Sequence, residues 1–208
     1  MTDEADRWPV PKFHAGDAKH LHAVGVIAVT FAQFERGIES LFLHHPSHSQ
    51  IHFDLVERYY FSLNEEQRIK VTRSHYKDNE TDDAVKAAAT NVLDFFNWAH
   101  DARNKILHSE KYPPSFGGDP NIFYLTKRAG KRDPKPTYLA LSLAQLRDVA
   151  EKMRQGIVLS AEINIHVRYR NLDPSTIEES LRVYAKRPPS FQLLAIPEKL
   201  SVTERPSY

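Results

Sequence analysis

The stretch that decides the fold is DFFNWAHDARNKILHSE, residues 94–110. Together with the preceding residues it carries two stripes of side chains, both at the spacing of an α-helix. The apolar stripe contains Val92, Phe95, Ala99, Ala102 and Ile106. The polar stripe contains Asn97, Asp101, Asn104 and His108. The first stripe predicts an ordinary core face, whereas the second needs polar partners or a ligand, because buried polar groups are nearly always hydrogen-bonded.

Helices are predicted on both sides of this stretch. Residues 17–44 carry another apolar stripe at steps of three and four, and Pro46 ends that helix. Asn64, Thr81 and Ser142 each precede a helical pattern and are predicted as N-caps. The predicted helices span residues 17–44, 51–61, 64–77, 81–108 and 142–169, with a last short helix opening at Asp173-Pro174.

Two β-like runs, NIFYLTK and PTYLALS, flank the basic segment RAGKRDPK and predict a hairpin at about 121–141. The expected fold class is therefore mainly α, an antiparallel helical bundle with a small β-hairpin insertion. We expect a lead-in at 1–16, one helical domain at 17–187 that includes the hairpin, and a proline-containing tail at 188–208. The tail is expected to lie on the surface or on a partner.

The composition excludes several classes of function. The 28 Lys and Arg residues balance 27 Asp and Glu residues, so any anionic ligand must be held by a local patch. The absence of cysteine excludes disulfides, thiolate metal sites and a cysteine nucleophile. No Gly-rich phosphate loop and no G-x-S-x-G motif occurs. The acidic N-terminus and the charges within 21–43 argue against a signal peptide or a membrane span, so we expect a cytoplasmic protein.

The run RNKILH at 103–108 resembles the motif of the HEPN (higher eukaryotes and prokaryotes nucleotide-binding) family, ribonuclease type. That motif is an arginine, a polar residue, a short spacer and a histidine, late in a long helix of an antiparallel bundle. The segment VTFAQFERGIESLF at 29–42 resembles the first long helix of bacterial HEPN proteins. The resemblance covers about residues 17–170.

The resemblance implies a metal-independent endoribonuclease that acts as a homodimer, and a toxin or phage-defence effector with an antitoxin or regulatory partner. It implies Arg103, His108 and Asn104 as catalytic residues, with Glu35 and Asp101 in support. The residue types suit the chemistry: histidine can act as a base near neutral pH, and arginine can stabilise a phosphorane. No cofactor and no metal is expected.

Less specific interpretations remain beside this one. Arginine and histidine are also favoured at an exposed helix C-terminus by the helix dipole. The fold could equally serve as a non-catalytic module that binds nucleic acid or protein. The basic residues Lys127, Arg128, Lys131 and Arg132 are candidate RNA-binding residues, although a solvated hairpin tip would look the same.

Overall fold

A computed structural model describes residues 18–48, 52–111, 119, 121–127, 136–173, 175, 178–179 and 190–202. Within them the chain forms five α-helices, one short 3-10 helix and three strands. The helices are α1 (Ala18–Leu43), α2 (Phe53–Ser62), α3 (Glu65–Asn79), α4 (Asp83–Leu107) and α5 (Leu143–Tyr169). The strands are β1 (Glu110–Lys111), β2 (Ile122–Lys127) and β3 (Thr137–Ser142), and the 3-10 helix is Pro46–His48.

The expected fold class is confirmed, and α1, α4 and α5 form the centre of the bundle. Helices α1 and α4 run antiparallel, because Phe31 lies against His100 whereas Phe34, later in α1, lies against Phe95, earlier in α4. All five residues of the predicted apolar stripe of α4 are buried. Burying large apolar side chains stabilises the folded state by about 1.5–3 kcal/mol each, so this face fixes the position of α4.

A close contact joins α5 to α1 at Gly156. A Cβ atom at this position would collide with the ring of Phe34, which is fully buried. The ring of Phe34 is held in turn against Phe96, edge to face with the centroids 5.1 Å apart. Glycine is therefore required here for the approach of the two helices, and not for an unusual backbone angle.

Two of the three predicted N-caps are confirmed and one is wrong. Asn64 and Ser142 both form complete capping boxes. At the start of α4 the cap is Asp82, not Thr81: the Asp82 carboxylate accepts from the backbone N–H groups of Ala84 and Val85, at 2.8 and 3.2 Å. The backbone N–H groups of Thr81 and Asp82 both donate to the buried carboxylate of Glu80, at 2.7 and 2.9 Å.

The predicted hairpin exists, and the sheet has one strand more than the sequence indicates. Strands β2 and β3 pair antiparallel from Ile122–Ser142 to Lys127–Thr137. The two-residue strand β1, directly after α4, pairs with the other edge of β2. A two-residue strand has no alternating pattern to detect. The sheet therefore packs at the C-terminal end of α4, beside the motif. No described helix is both long and apolar enough to span a membrane.

Candidate functional site

The end of α4 brings together the three residues of the sequence motif. Nη1 of Arg103 donates to Oδ1 of Asn104 at 2.8 Å and lies 3.0 Å from Nε2 of His108. Residues five apart stand about 140° from each other around an ideal helix and would not meet. They meet because His108 is the C-cap, with φ −97° and ψ 13°, so its backbone has already left the helix.

This contact restricts the hydrogen-bonding role of Nε2 of His108. A guanidinium group can only donate hydrogen bonds, so Nε2 of His108 must accept. The imidazole in this arrangement is therefore neutral, carries its proton on Nδ1 and directs a lone pair at Arg103. The ring is exposed, while Arg103 and Asn104 are half-buried. The arrangement places a neutral imidazole beside a guanidinium that occupies its lone pair.

His100 extends this arrangement by one turn of α4 and was missed by the sequence interpretation. Nδ2 of Asn104 lies 2.8 Å from Nε2 of His100, and Oε1 of Glu65, at the start of α3, lies 3.1 Å from the same nitrogen. Arg103 fixes the orientation of the Asn104 amide, because Oδ1 must accept from the guanidinium, so Nδ2 faces His100. His100 is thus held between this amide and the carboxylate of Glu65.

The floor of the site is aromatic and comes from α1. The guanidinium carbon of Arg103 lies 5.5 Å from the ring centroid of Phe31, which is a cation–π contact. Phe31 is buried and stacks on Phe96 with the centroids 5.3 Å apart. The guanidinium therefore rests on a rigid surface, which limits the directions in which Arg103 can move.

Glu35, the supporting residue on α1 that the resemblance implies, lies one turn of α1 after Phe31. It lines a small pocket with Glu39, Glu65 and Arg68. In this pocket burial, followed by the charge of Glu35, raises the pKa of Glu39. Among the described residues no hydrogen bond or ion pair joins Glu35 to Arg103, so the direct α1 contact with Arg103 comes from Phe31.

A groove of about 370 Å³ opens beside the motif, between α4, the sheet and the C-terminal tail. Asp101 borders this groove and forms an ion pair of 3.0 Å with Lys105. Lys127, at the end of β2, is exposed at the rim of the groove. The other predicted RNA-binding residues, Arg128, Lys131 and Arg132, lie outside the described residues.

The tail at 190–202 has no regular secondary structure and lies along one side of α4. The side chain of Asn91 exchanges two hydrogen bonds with the backbone of Leu194, at 2.9 and 2.8 Å. The indole of Trp98 donates to the carbonyl of Glu198 at 3.1 Å, and Lys105 donates to the carbonyl of Leu200 at 3.2 Å.

These three anchors stand seven residues apart, so they lie on one side of α4. The polar face of α4 stays open between this tail and α3, and Asn97 is exposed on it.

A second polar cluster lies at the opposite end of the bundle, where α1 ends. The rings of His48 and His75 are stacked 4.4 Å apart, and His45 stands edge-on to His75 at 4.6 Å. Nδ1 of His45 and Nε2 of His75 each lie 2.9 Å from Oγ of Ser47. Burial is the main cause that lowers the pKa of all three histidines.

A buried carboxylate borders this cluster. Nε2 of His45 lies 3.6 Å from Oε2 of Glu80, and the other oxygen of Glu80 accepts from Arg170 at 2.9 Å. Burial raises the pKa of the Glu80 carboxyl, but the hydrogen bonds from Arg170 and from the backbone N–H groups of Asp82 and Thr81 outweigh it and hold the pKa below its usual value. Within the described part of the chain, no three His, Cys, Asp or Glu side chains are arranged to hold a metal ion.

The motif at the end of α4 remains the best candidate for a functional site, because it combines a base, a cation and an adjoining groove. Comparison of the chain with family models, with curated proteins and with solved structures finds no match, so its function has to be argued from this geometry.

Proposed function

We propose that the protein is a metal-independent endoribonuclease of the HEPN type that cleaves RNA by attack of a 2′-hydroxyl. The observation that carries the proposal is the 3.0 Å contact between Arg103 and His108. It places a neutral imidazole, able to accept a proton near neutral pH, next to a guanidinium that suits a phosphate.

The contact also indicates how substrate starts the reaction. In the free protein the lone pair of His108 is occupied by Arg103. A scissile phosphate offers the guanidinium a stronger, charged acceptor, so Arg103 turns to the phosphate and releases Nε2 of His108. The flat ring of Phe31 lies below the guanidinium, which can turn on this surface and stay in contact with it.

The released base then takes the proton of the 2′-hydroxyl. The 2′-oxygen forms a bond to phosphorus, the bond from phosphorus to the 5′-oxygen breaks, and that oxygen leaves with a proton from water. The imidazolium of His108 returns its proton to solvent. The products are a 2′,3′-cyclic phosphate and a 5′-hydroxyl, and Arg103 stabilises the charge on the phosphorane.

The supporting roles follow from the contacts. Asn104 holds Arg103, Asp101 neutralises Lys105, and Glu35 acts at a distance, through the pocket that it shares with Glu65. The open polar face of α4 is the surface that we assign to a homodimer, with the two motifs lining one cleft. A cytoplasmic toxin or phage-defence effector, restrained by an antitoxin or regulatory protein, fits an RNA-cleaving activity of this kind.

A single-turnover assay on a mixed RNA pool, with product ends mapped, tests the proposal. We expect cleavage in EDTA, and losses on the order of a hundredfold or more for His108→Ala and Arg103→Ala. Glu35→Gln should have a smaller effect. Two exposed residues away from the site provide the matched controls His22→Ala and Arg58→Ala, which should cleave as the wild type does.

Two outcomes would contradict the mechanism. Cleavage abolished by EDTA would require a metal, and equal cleavage by the wild type and both site variants would remove the site from the reaction. RNA binding without any cleavage would instead identify the non-catalytic binding module.

A further inference from the structure

The groove between α4, the sheet and the tail has a position and a chemistry that the motif alone does not explain. We propose that it is a subsite for one nucleotide of the RNA next to the scissile phosphate, with the C-terminal tail as one of its walls. This inference rests on the proposed function. It adds a binding site for the part of the substrate strand that continues beyond the cleaved bond.

Continuity with the motif is the first argument. Asn104 and His100 line the groove, and Asn104 is also the hydrogen-bond partner of Arg103. A phosphate held by Arg103 therefore lies at the mouth of the groove. A strand bound at that phosphate can place its neighbouring nucleotide in the groove. The volume of about 370 Å³ is within the range of small-ligand sites.

The charges at the groove single out one lysine. Lys105 is already engaged, because its ammonium binds both Asp101 and the carbonyl of Leu200. Lys127 also lines the groove and is exposed, and no described carboxylate pairs with it. An ammonium at the rim of a groove attracts phosphate, and one such contact releases about one counterion from RNA. Lys127 is thus the phosphate contact of this subsite.

The apolar part of the lining suits the face of a base. Leu139 of β3 and Val202 of the tail both line the groove, and about half of the surface of Val202 is exposed. The tail is fixed at this point, since the carbonyl of Leu200 is bound by Lys105 two residues earlier. A base between these side chains buries apolar surface without needing a particular hydrogen-bonding edge, so the subsite is tolerant of sequence.

Binding of an uncleavable 2′-O-methyl oligonucleotide, followed by fluorescence anisotropy over a range of salt concentrations, tests the phosphate contact. Lys127→Gln should weaken binding and reduce the slope of log K against log salt by about one. The matched control is Lys77→Gln, an exposed lysine on α3 away from the groove, which should leave the slope unchanged. An unchanged slope for Lys127→Gln would overturn the assignment.

Cleavage kinetics with shortened substrates test whether the C-terminal tail forms a wall of the subsite. Val202→Trp narrows the groove from the tail and changes no residue of the motif. We expect it to lower kcat/KM about tenfold on an RNA that extends beyond the cleaved bond on both sides, because binding energy from a neighbouring nucleotide contributes to the rate. On a substrate shortened at the end that fills the groove, the variant and the wild type should become equal.

The two proposals fail in different ways. If the wild type neither binds nor cleaves RNA, the proposed function is wrong and the subsite with it. If the wild type cleaves RNA but Val202→Trp and Lys127→Gln behave as the control does on every substrate, the site at Arg103 stands and the subsite is wrong.

Discussion

The histidine cluster at the end of α1 predicts that acidification from pH 7 to pH 5 destabilises the protein, and that His75 is responsible for much of the loss. Burial, together with the neighbouring His45 and His48, lowers the pKa of His75 to about 4. In an unfolded chain histidine titrates near 6.5, roughly as in model peptides. The stability that the neutral His75 contributes is therefore present above pH 6.5 and is lost as the pH falls towards 4, because over this range only the unfolded state takes up the proton.

The magnitude follows from proton linkage. Between pH 7 and pH 5 the unfolded state gains about 0.7 of a proton at this position and the folded state about 0.1, and integrating the difference over this range gives about 2 kcal/mol. His75 is only half-buried, so solvent screening reduces the expected contribution to about 1 kcal/mol. His45 and His48 change stability in the same direction, since the pKa of each is lowered as well.

Urea unfolding followed by circular dichroism at pH 7 and pH 5 measures this effect. Between pH 7 and pH 5 the free energy of unfolding should fall for both proteins, and the fall should be about 1 kcal/mol smaller for His75→Gln than for the wild type. His22→Gln, at an exposed position of α1, is the matched control and should lose as much as the wild type. Equal losses in the wild type and His75→Gln would refute the reasoning, whatever the stability of the variant at pH 7.

Three further predictions concern packing, the tail and assembly. Gly156→Ala should lower the free energy of unfolding by about 1–3 kcal/mol, because the new methyl group meets the immobile ring of Phe34. Gly25→Ala should raise the free energy of unfolding by about 0.5–1 kcal/mol, because its methyl group meets open space. Urea unfolding measures both, and a stabilised Gly156→Ala would contradict the packing. Asn91→Ala removes both hydrogen bonds to the tail and should cost about 1–2 kcal/mol in the same assay, while Lys77→Ala, at an exposed position of α3, should stay within about 0.5 kcal/mol. Light scattering at micromolar concentration should give the mass of a dimer, and a monomeric mass would count against the shared cleft.

The helices could be predicted from the sequence because each carries its own signal. Proline positions, capping residues and the spacing of apolar side chains are local, and they give the ends of α1 and α5 to within a residue. Thr81 shows the limit of such signals. Thr81 and Asp82 are both suitable caps, and the local pattern does not decide between them; in the structure the carboxylate of Asp82 caps the helix.

The site was predictable where it lies on one helix and not where it depends on packing. Arg103, Asn104 and His108 stand within six residues of each other, and their contact needed only the end of α4. Phe31 reaches Arg103 through the packing of α1 on α4. His100 stands in the same stretch of sequence, but a histidine in a helix is ordinary until Asn104 and Glu65 are placed around it.

The position of the tail determines the order in which parts of the structure can form during synthesis and folding. Its anchors on α4 join residues that stand 103, 100 and 95 positions apart in the chain. During synthesis α4 therefore emerges long before the segment that covers its outer side, and the amide of Asn91 and the indole of Trp98 must be bound by water in the interval. Contacts of such long range form late in folding, since closing a long loop is entropically unfavourable. The helical bundle can assemble first, and the wall that Val202 contributes to the groove exists only once the chain has been made as far as the tail.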